Sequence, residues 1–184
     1  MNHTTDEIEA GWLTLRPFHV DDVPWVYEVS QDALIRHFNG LPEPYEMEHA
    51  RFFVQEVAMA NADRIEYVIL DALSRERLGR VGLGLGRDGT GEIGYWAAPE
   101  ARGKGVTTHA VKALCRWAFR SLDLELIQWR AEAGNEASRR VAEKAGFVFE
   151  GTLRRRLVRR GTRLDLWVGS LLEEELMTTI PGRP

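Results

Sequence analysis

Ala101-Arg102-Gly103-Lys104-Gly105-Val106-Thr107-Thr108-His109-Ala110 is the stretch whose reading decides the fold. It follows a run that reads as a strand, Glu92-Ile93-Gly94-Tyr95-Trp96-Ala97, and precedes a run with helical spacing that ends near Arg120. A strand, a glycine-rich turn and a helix in that order present unpaired backbone N–H groups at the helix start, where the macrodipole adds partial positive charge. Gly103 and Gly105 remove Cβ atoms that would hold an anion away. Arg102 and Lys104 add two full positive charges. The stretch reads as a pyrophosphate cradle.

Working outward, the helix behind the loop spans Val106 to Phe119, with Val106, Ala110, Ala113, Leu114 and Trp117 at spacings of three and four. Strands are expected at Trp12–Phe18, Glu66–Leu70, Leu78–Leu85, Glu92–Ala97, Leu124–Ala131, Phe147–Gly151 and Thr162–Leu172. Further helices are expected from Asp21 or Asp22 (as cap) to about Ser30, at Ala33–Phe38, at Glu46–Ala62 with Phe53, Val57 and Ala60 on one face, and at Asn135–Ala145. Consecutive strands early and strand–helix alternation later imply an α/β (α+β) fold: a mixed sheet of about seven strands with helices on both faces. Residues 11–175 form one domain between a loose tail at 1–10 and another at 176–184.

The composition bounds the function. A chain of 184 residues suits one domain with a real core. Its net charge of -4 argues against nucleic-acid binding across the whole surface. No apolar run approaches the roughly 20 residues that span a bilayer, and Met1–Ala10 lacks the basic-then-apolar pattern of a signal peptide. Cys115 is the one cysteine, so no intrachain disulfide forms, and a reducing, cytoplasmic setting is expected.

Several patterns are decoys. Gly84-Leu85-Gly86-Arg87-Asp88-Gly89 matches GxGxxG, but a turn and a strand follow it where a dinucleotide site needs a helix. Gly82, Gly84 and Gly86 share one strand face, which close packing explains better than a ligand does. The five histidines lack metal-ligand spacing, so no metal is expected. There is no GxxxxGK[ST] loop and no GxSxG elbow. Cys115 sits mid-helix among core positions and reads as a structural thiol.

Three stretches then line up: Glu92-Ile93-Gly94-Tyr95-Trp96 with Arg102-Gly103-Lys104-Gly105-Val106; Asn135-Glu136-Ala137-Ser138 opening a helix; and Glu143-Lys144-Ala145-Gly146-Phe147 ending it, with Glu150-Gly151 beyond. Together, from about Trp12 to Leu172, they resemble the GNAT acyltransferases, and among them the RimJ/RimL-like branch. The resemblance implies acetyl-CoA as donor, a primary amine as acceptor, and a sheet splayed between its fourth and fifth strands. It implies that backbone amides from Gly103 to Thr108 (Gly103, Lys104, Gly105, Val106, Thr107, Thr108) hold the CoA pyrophosphate, with Arg102 opening that loop. Thr107 stands where the family has Gly or Ala. It implies that Trp96, Ala97 and Ala98 pair with pantetheine, and that the N–H of Trp96 or Ala97 meets the thioester oxygen.

The resemblance also implies that Asn135 contacts CoA and that Ser138 lies near the sulfur as a proton donor; helix capping is the plainer reading of Asn135. One of Tyr95 and Trp96 is expected in the core and the other on the cleft. Glu92 is the leading general base and His37 a second candidate. Some relatives carry a carboxylate where this chain reads Leu153-Arg154-Arg155-Arg156-Leu157. That absence motivates a rival, a non-catalytic acyl-CoA-binding module. Arg154, Arg155, Arg156, Arg159, Arg160 and Arg163 crowd one stretch. They read as a solvated hairpin, or as a grip on an acidic acceptor, the CoA 3′-phosphate or RNA; a ribosome- or RNA-binding role rests on them alone. A homodimer and the acceptor's identity stay open.

Overall fold

The computed structural model of the protein describes residues 6–60 and 62–178. In chain order these form β1 (Ile8–Ala10), β2 (Leu13–Pro17), α1 (Val23–Val29), α2 (Ala33–Asn39) and α3 (Met47–Phe52), which widens into a π-helical segment at Phe53–Met59. Then come β3 (Arg64–Asp71), β4 (Arg77–Leu85), β5 (Thr90–Ala97), α4 (Val106–Ser121), β6 (Leu126–Glu132) and α5 (Glu136–Ala145). The chain closes with β7 (Val148–Arg159), β8 (Thr162–Leu171) and α6 (Glu173–Thr178).

All the strands lie in one sheet, in the order β1-β2-β3-β4-β5-β6-β8-β7. Every neighbouring pair is antiparallel except β5 and β6. Parallel strands need a crossover, and α4 supplies it. The apolar side of α4, including Ala110, Val111 and Leu114, is fully buried in one cluster with Ile69, Val81, Leu83 and Ile127. The opposite sheet face carries Val68 and Leu70, which cluster with Val26 of α1 and with Ala50 and Val54 of the third helix. The alternation of side chains along each strand separates these two layers.

The sheet has eight strands rather than about seven. The extra one, Ile8–Ala10, lies inside the stretch expected to be a loose tail; it pairs back on β2 through the turn at Gly11, φ +66°. The expected second tail begins inside α6, whose Leu176 is buried; the remaining tail positions, 1–5 and 179–184, lie outside the described residues. β7 runs on to Arg159, past the expected end at Gly151. The expected helix at 46–62 forms as α3 plus its π-helical segment, which rotates the apolar face: Val54 is buried, Phe53 and Val57 are half-buried and Ala60 is exposed.

Asp22 accepts no capping bond from α1. It is fully buried and accepts bonds from Arg16, Arg77 and the His19 amide. Burial pushes its pKa up, but those bonds outweigh it and hold the carboxyl below its ordinary value.

The glycine face of β4 is a packing feature at Gly82, where a Cβ would stand 2.0 Å from Glu66 Oε2. Cys115 is fully buried in α4, and burial raises its thiol pKa, as suits a structural thiol.

Candidate active site

The sheet opens at its centre. β5 and β6 pair from Thr90↔Leu126 to Ile93↔Trp129 and no further, although β5 continues to Ala97 and β6 to Glu132. A cleft of about 710 Å³ fills the gap, walled by the two diverging strands, the 101–108 loop, the start of α5, α2 and the far part of β7. That size suits a small-molecule site.

The β4–β5 ladder decides which backbone groups face the gap. Gly86 N–H donates to Thr90 O at 2.7 Å and Ala98 N–H to Leu78 O at 2.9 Å. Hydrogen-bonded pairs alternate in an antiparallel ladder, and the register between these two bonds is unbroken. Glu92, Gly94 and Trp96 therefore turn their main-chain groups to β4, whereas Tyr95 and Ala97 turn theirs to the open side. This corrects the expectation for Trp96, whose N–H faces Arg80 on β4. It also corrects that for Ala98, which is buried and whose N–H is bonded to Leu78.

The loop has the geometry its glycines suggested. Gly103 stands at φ +74° and Gly105 at φ +77°, a region that favours glycine, and beyond the adjoining residues no described atom lies within 4 Å of a Cβ built on either. Gly105 caps α4. The first bond of that helix runs from His109 N–H to Gly105 O at 3.0 Å, which leaves the amides of Val106, Thr107 and Thr108 outside the ladder. Open space in front of several free amides at a helix start fits a phosphate group. Val106 and Thr107 are buried, so they anchor the turn. Thr107 is accommodated there without loss of the helix.

The loop's side chains do less than expected. Arg102 pairs with Asp32, its Nη2 donating to Oδ1 at 2.5 Å and its Nη1 to Oδ2 at 3.2 Å. The Arg102 bond holds the Asp32 carboxyl below its ordinary pKa. Asp32 also caps α2 by accepting from Ile35 N–H at 2.9 Å, so Arg102 ties the loop to α2. Lys104 is exposed and is not part of the cleft wall.

At the start of α5, Asn135 accepts from Ser138 N–H at 3.1 Å, the capping role, while also lining the cleft. Trp129 Nε1–H donates to Ser138 Oγ at 3.0 Å. Ser138 Oγ donates to the Tyr95 hydroxyl at 3.2 Å, and that hydroxyl donates to the Ser138 carbonyl at 2.8 Å. Burial raises the Tyr95 pKa, so the phenol stays protonated at neutral pH. Tyr95 and Trp96 both reach the cleft, from opposite sheet faces; neither is withdrawn wholly into the core. Trp96 meets Trp25 of α1 at 5.4 Å between ring centroids.

Glu92 lines the cleft on the Trp96 side, half exposed, with Arg130 Nη1 at 3.5 Å. Sequence reasoning missed a second carboxylate, Glu132, at the end of β6. His37 Nε2 lies 3.2 Å from its Oε1 and Arg159 Nη1 lies 3.3 Å from its Oε2. His37 itself is not in the cleft wall. The arginine cluster divides. Arg159 holds Glu132 and the His37 carbonyl, Arg160 holds Glu43 at 2.6 Å, and Arg163 holds the Arg155 carbonyl at 3.2 Å. Arg156 lines the cleft. Among the described residues, no group of three His, Cys, Asp or Glu side chains is placed to hold a metal ion.

A mixed sheet prised open beside a glycine-rich helix start defines a class of fold that admits a long ligand with an anionic group at one end. Residues 13–148 match the acetyltransferase (GNAT) domain. The chain belongs to the GNAT family and is an N-acetyltransferase. It is 45% identical over 84 residues to the putative ribosomal N-acetyltransferase YdaF of Bacillus subtilis, a match that spans 46% of each chain. It is 26% identical to the uncharacterized N-acetyltransferase p20 of Bacillus licheniformis, over 89% of this chain and 94% of that one.

Among solved structures, the RimL ribosomal L7/L12 α-N-protein acetyltransferase in complex with coenzyme A superposes with a TM-score of 0.81 at 20% identity, covering 91% of this chain and 98% of that one. At that identity the likeness speaks to the fold. Ribosomal-protein acetyltransferases thus recur by name among the proteins it resembles.

Proposed function

We propose that the protein transfers an acetyl group from acetyl-CoA to a primary amine, by direct attack within a ternary complex in the cytoplasm. One observation carries this reading: the gap between β5 and β6 joins free amides at the α4 start to unpaired main-chain groups of Tyr95 and Ala97. The names of the relatives YdaF and RimL favour a protein N-terminus as acceptor, with a small-molecule amine as the alternative.

In this reading the amides from Gly103 to Thr108 hold the pyrophosphate. Tyr95 and Ala97 pair with the pantetheine arm as an added strand would. The Ala97 N–H donates to the thioester oxygen as charge develops on it. Asn135 borders the donor and holds the α5 start in place. Glu92 takes the proton that the attacking amine must shed, because an N-terminal amine with a pKa of about 8 is largely protonated at neutral pH. The C–N bond forms, the C–S bond breaks, and the thiolate leaves near Ser138. Ser138 Oγ, which donates to the Tyr95 hydroxyl in the free protein, turns to hydrogen-bond that thiolate.

Calorimetry with CoA and a thiol-release assay over a panel of amines test the two halves. CoA binding in the micromolar range with amine-dependent thiol release is expected. Failure to bind CoA at millimolar concentration defeats the reading. Binding without release on any amine leaves the non-catalytic acyl-CoA-binding module.

A further inference from the structure

Glu66 and Arg80 form an ion pair on the sheet face beneath α3 that the steps above leave unused. Glu66 is 3% exposed and Arg80 7%. Arg80 Nε donates to Glu66 Oε2 at 2.6 Å and Nη2 donates to Oε1 at 2.5 Å. Arg64 Nε also donates to Oε1, at 3.0 Å. The Phe53 ring covers the Arg80 guanidinium, with its centroid 5.8 Å from Cζ. Two strand glycines make the arrangement possible. A Cβ at position 82 would stand 2.0 Å from Glu66 Oε2, and one at position 94 would stand 3.3 Å from Arg80 Nη1. Buried ion pairs are poor sources of stability, and interior glycines weaken strands. What the arrangement achieves is a guanidinium held in one position.

One end of that guanidinium is left over. Arg80 Nη1 has no hydrogen-bond partner among the described residues, nor is it among their sealed, unsatisfied side-chain atoms. Arg80 lines the cleft. Nη1 lies beside Gly94, and Gly94 stands between Glu92 and Trp96 on the same face of β5. Residues two apart on a strand are about 6.7 Å apart. A fixed N–H donor therefore sits one pleat away from the carboxylate assigned to the amine's proton.

We propose that Arg80 is an acceptor-positioning residue that sets specificity. Its Nη1 donates to an oxygen that the acceptor carries beside its amine, which selects α-amino carbonyl and carboxylate compounds over alkyl amines and polyamines. The proposal rests on the acetyltransferase reading. A guanidinium has donors only, so it takes a carbonyl or carboxylate oxygen and turns away a second ammonium. Gly94 leaves the approach to Nη1 clear.

The test compares kcat/KM, expressed per unprotonated amine at the assay pH, for alanyl-alanine, alaninamide, alanine, propylamine and spermidine. The oxygen-bearing amines are expected to exceed propylamine by on the order of 10- to 100-fold, the worth of one hydrogen bond to a charged group. Alaninamide against alanine separates a peptide-like acceptor from a free amino acid. Arg80→Lys keeps a cation against Glu66 but lacks a second nitrogen for the cleft. Gly94→Ala sets a methyl group 3.3 Å from Nη1, on its approach from the cleft, and presses on the guanidinium that Glu66 holds. Both variants should bring the alaninamide-to-propylamine ratio towards one, with the melting temperature and CoA affinity reporting that the fold is kept.

Equal rates for the two amines in the unaltered protein overturn the proposal, as does a ratio that neither variant moves. If no amine is acetylated, the acetyltransferase reading falls by itself. Calorimetry of alanyl-alanine with the CoA-loaded protein then decides the Arg80 role. Binding that Arg80→Lys abolishes supports it, and no binding overturns it.

Discussion

Gly105 stands at φ +77° at the start of α4, in open space. Gly105→Ala makes an L-residue adopt that left-handed conformation, which costs roughly 1–2 kcal/mol. In a chain of this size the melting temperature should fall by about 2–8 °C. In the proposed reading the methyl group also meets the phosphate that the loop holds. Losing one charge-assisted hydrogen bond to a phosphate removes about 1.5–3 kcal/mol, so CoA affinity should fall by about 10- to 150-fold.

Gly161 separates the two effects. It has nearly the same backbone angle, φ +75°, and equally open space, but it sits in the β7–β8 turn. Gly161→Ala should show a similar loss of melting temperature and no loss of CoA affinity. Calorimetry with CoA and a thermal melt of both variants give the comparison. Equal CoA affinities in the two variants refute the phosphate role of the loop.

Three further outcomes are expected. Glu92→Gln should lower kcat by about 100- to 10,000-fold, the range for a lost general base, with CoA affinity unchanged by calorimetry. Ser138→Ala leaves the Trp129 Nε1–H without its acceptor and should destabilise by about 1–3 kcal/mol in urea. Tyr95→Phe should leave any alkaline limb of the kcat profile below pH ~10 in place, because burial raises the Tyr95 pKa above its usual value and keeps the phenol neutral.

Asp32→Asn keeps the α2 cap but loses the charge facing Arg102. The folded pKa of Asp32 is depressed, so its contribution is full above the unfolded value of about 3.9 and is lost as pH falls through the lower folded value. The pair is partly exposed and is worth at most about 1 kcal/mol. The melting difference between the two proteins should hold near pH 7 and close at acid pH. CoA affinity should move by less than ~10-fold, since a single exposed charge contributes no more than that.

The donor side was legible because its signals are local. Gly103, Gly105 and the helical spacing behind them lie within a few residues of one another, and so do Asn135 and Ser138. The acceptor side was not. Glu132 takes its meaning from His37 and Arg159, which stand far from it in the chain. Arg80 and Glu66 are charges on buried strand faces, and only the bare positions at Gly82 and Gly94 hint that something large fills the space above them.

Glu92, Gly94 and Trp96 could not be told from Tyr95 and Ala97 by spacing, because which of them turns a backbone amide to the gap depends on the hydrogen-bonding phase of β4. The far part of β7 escaped notice because it extends where no core gives it an apolar face; Arg154, Arg155 and Arg156 are all exposed. Ile8–Ala10 is too short to show a period.

Arg159 and Arg160 reach back from the last hairpin to the His37 carbonyl and to Glu43, across more than half the chain. A ribosome delivers the phosphate loop and both strands of the gap well before it delivers these two arginines. The wall facing the acceptor therefore gains its brace only when the last hairpin is in place. Arg102 joins that wall to the donor side, since it ties the donor loop to Asp32 at the start of α2.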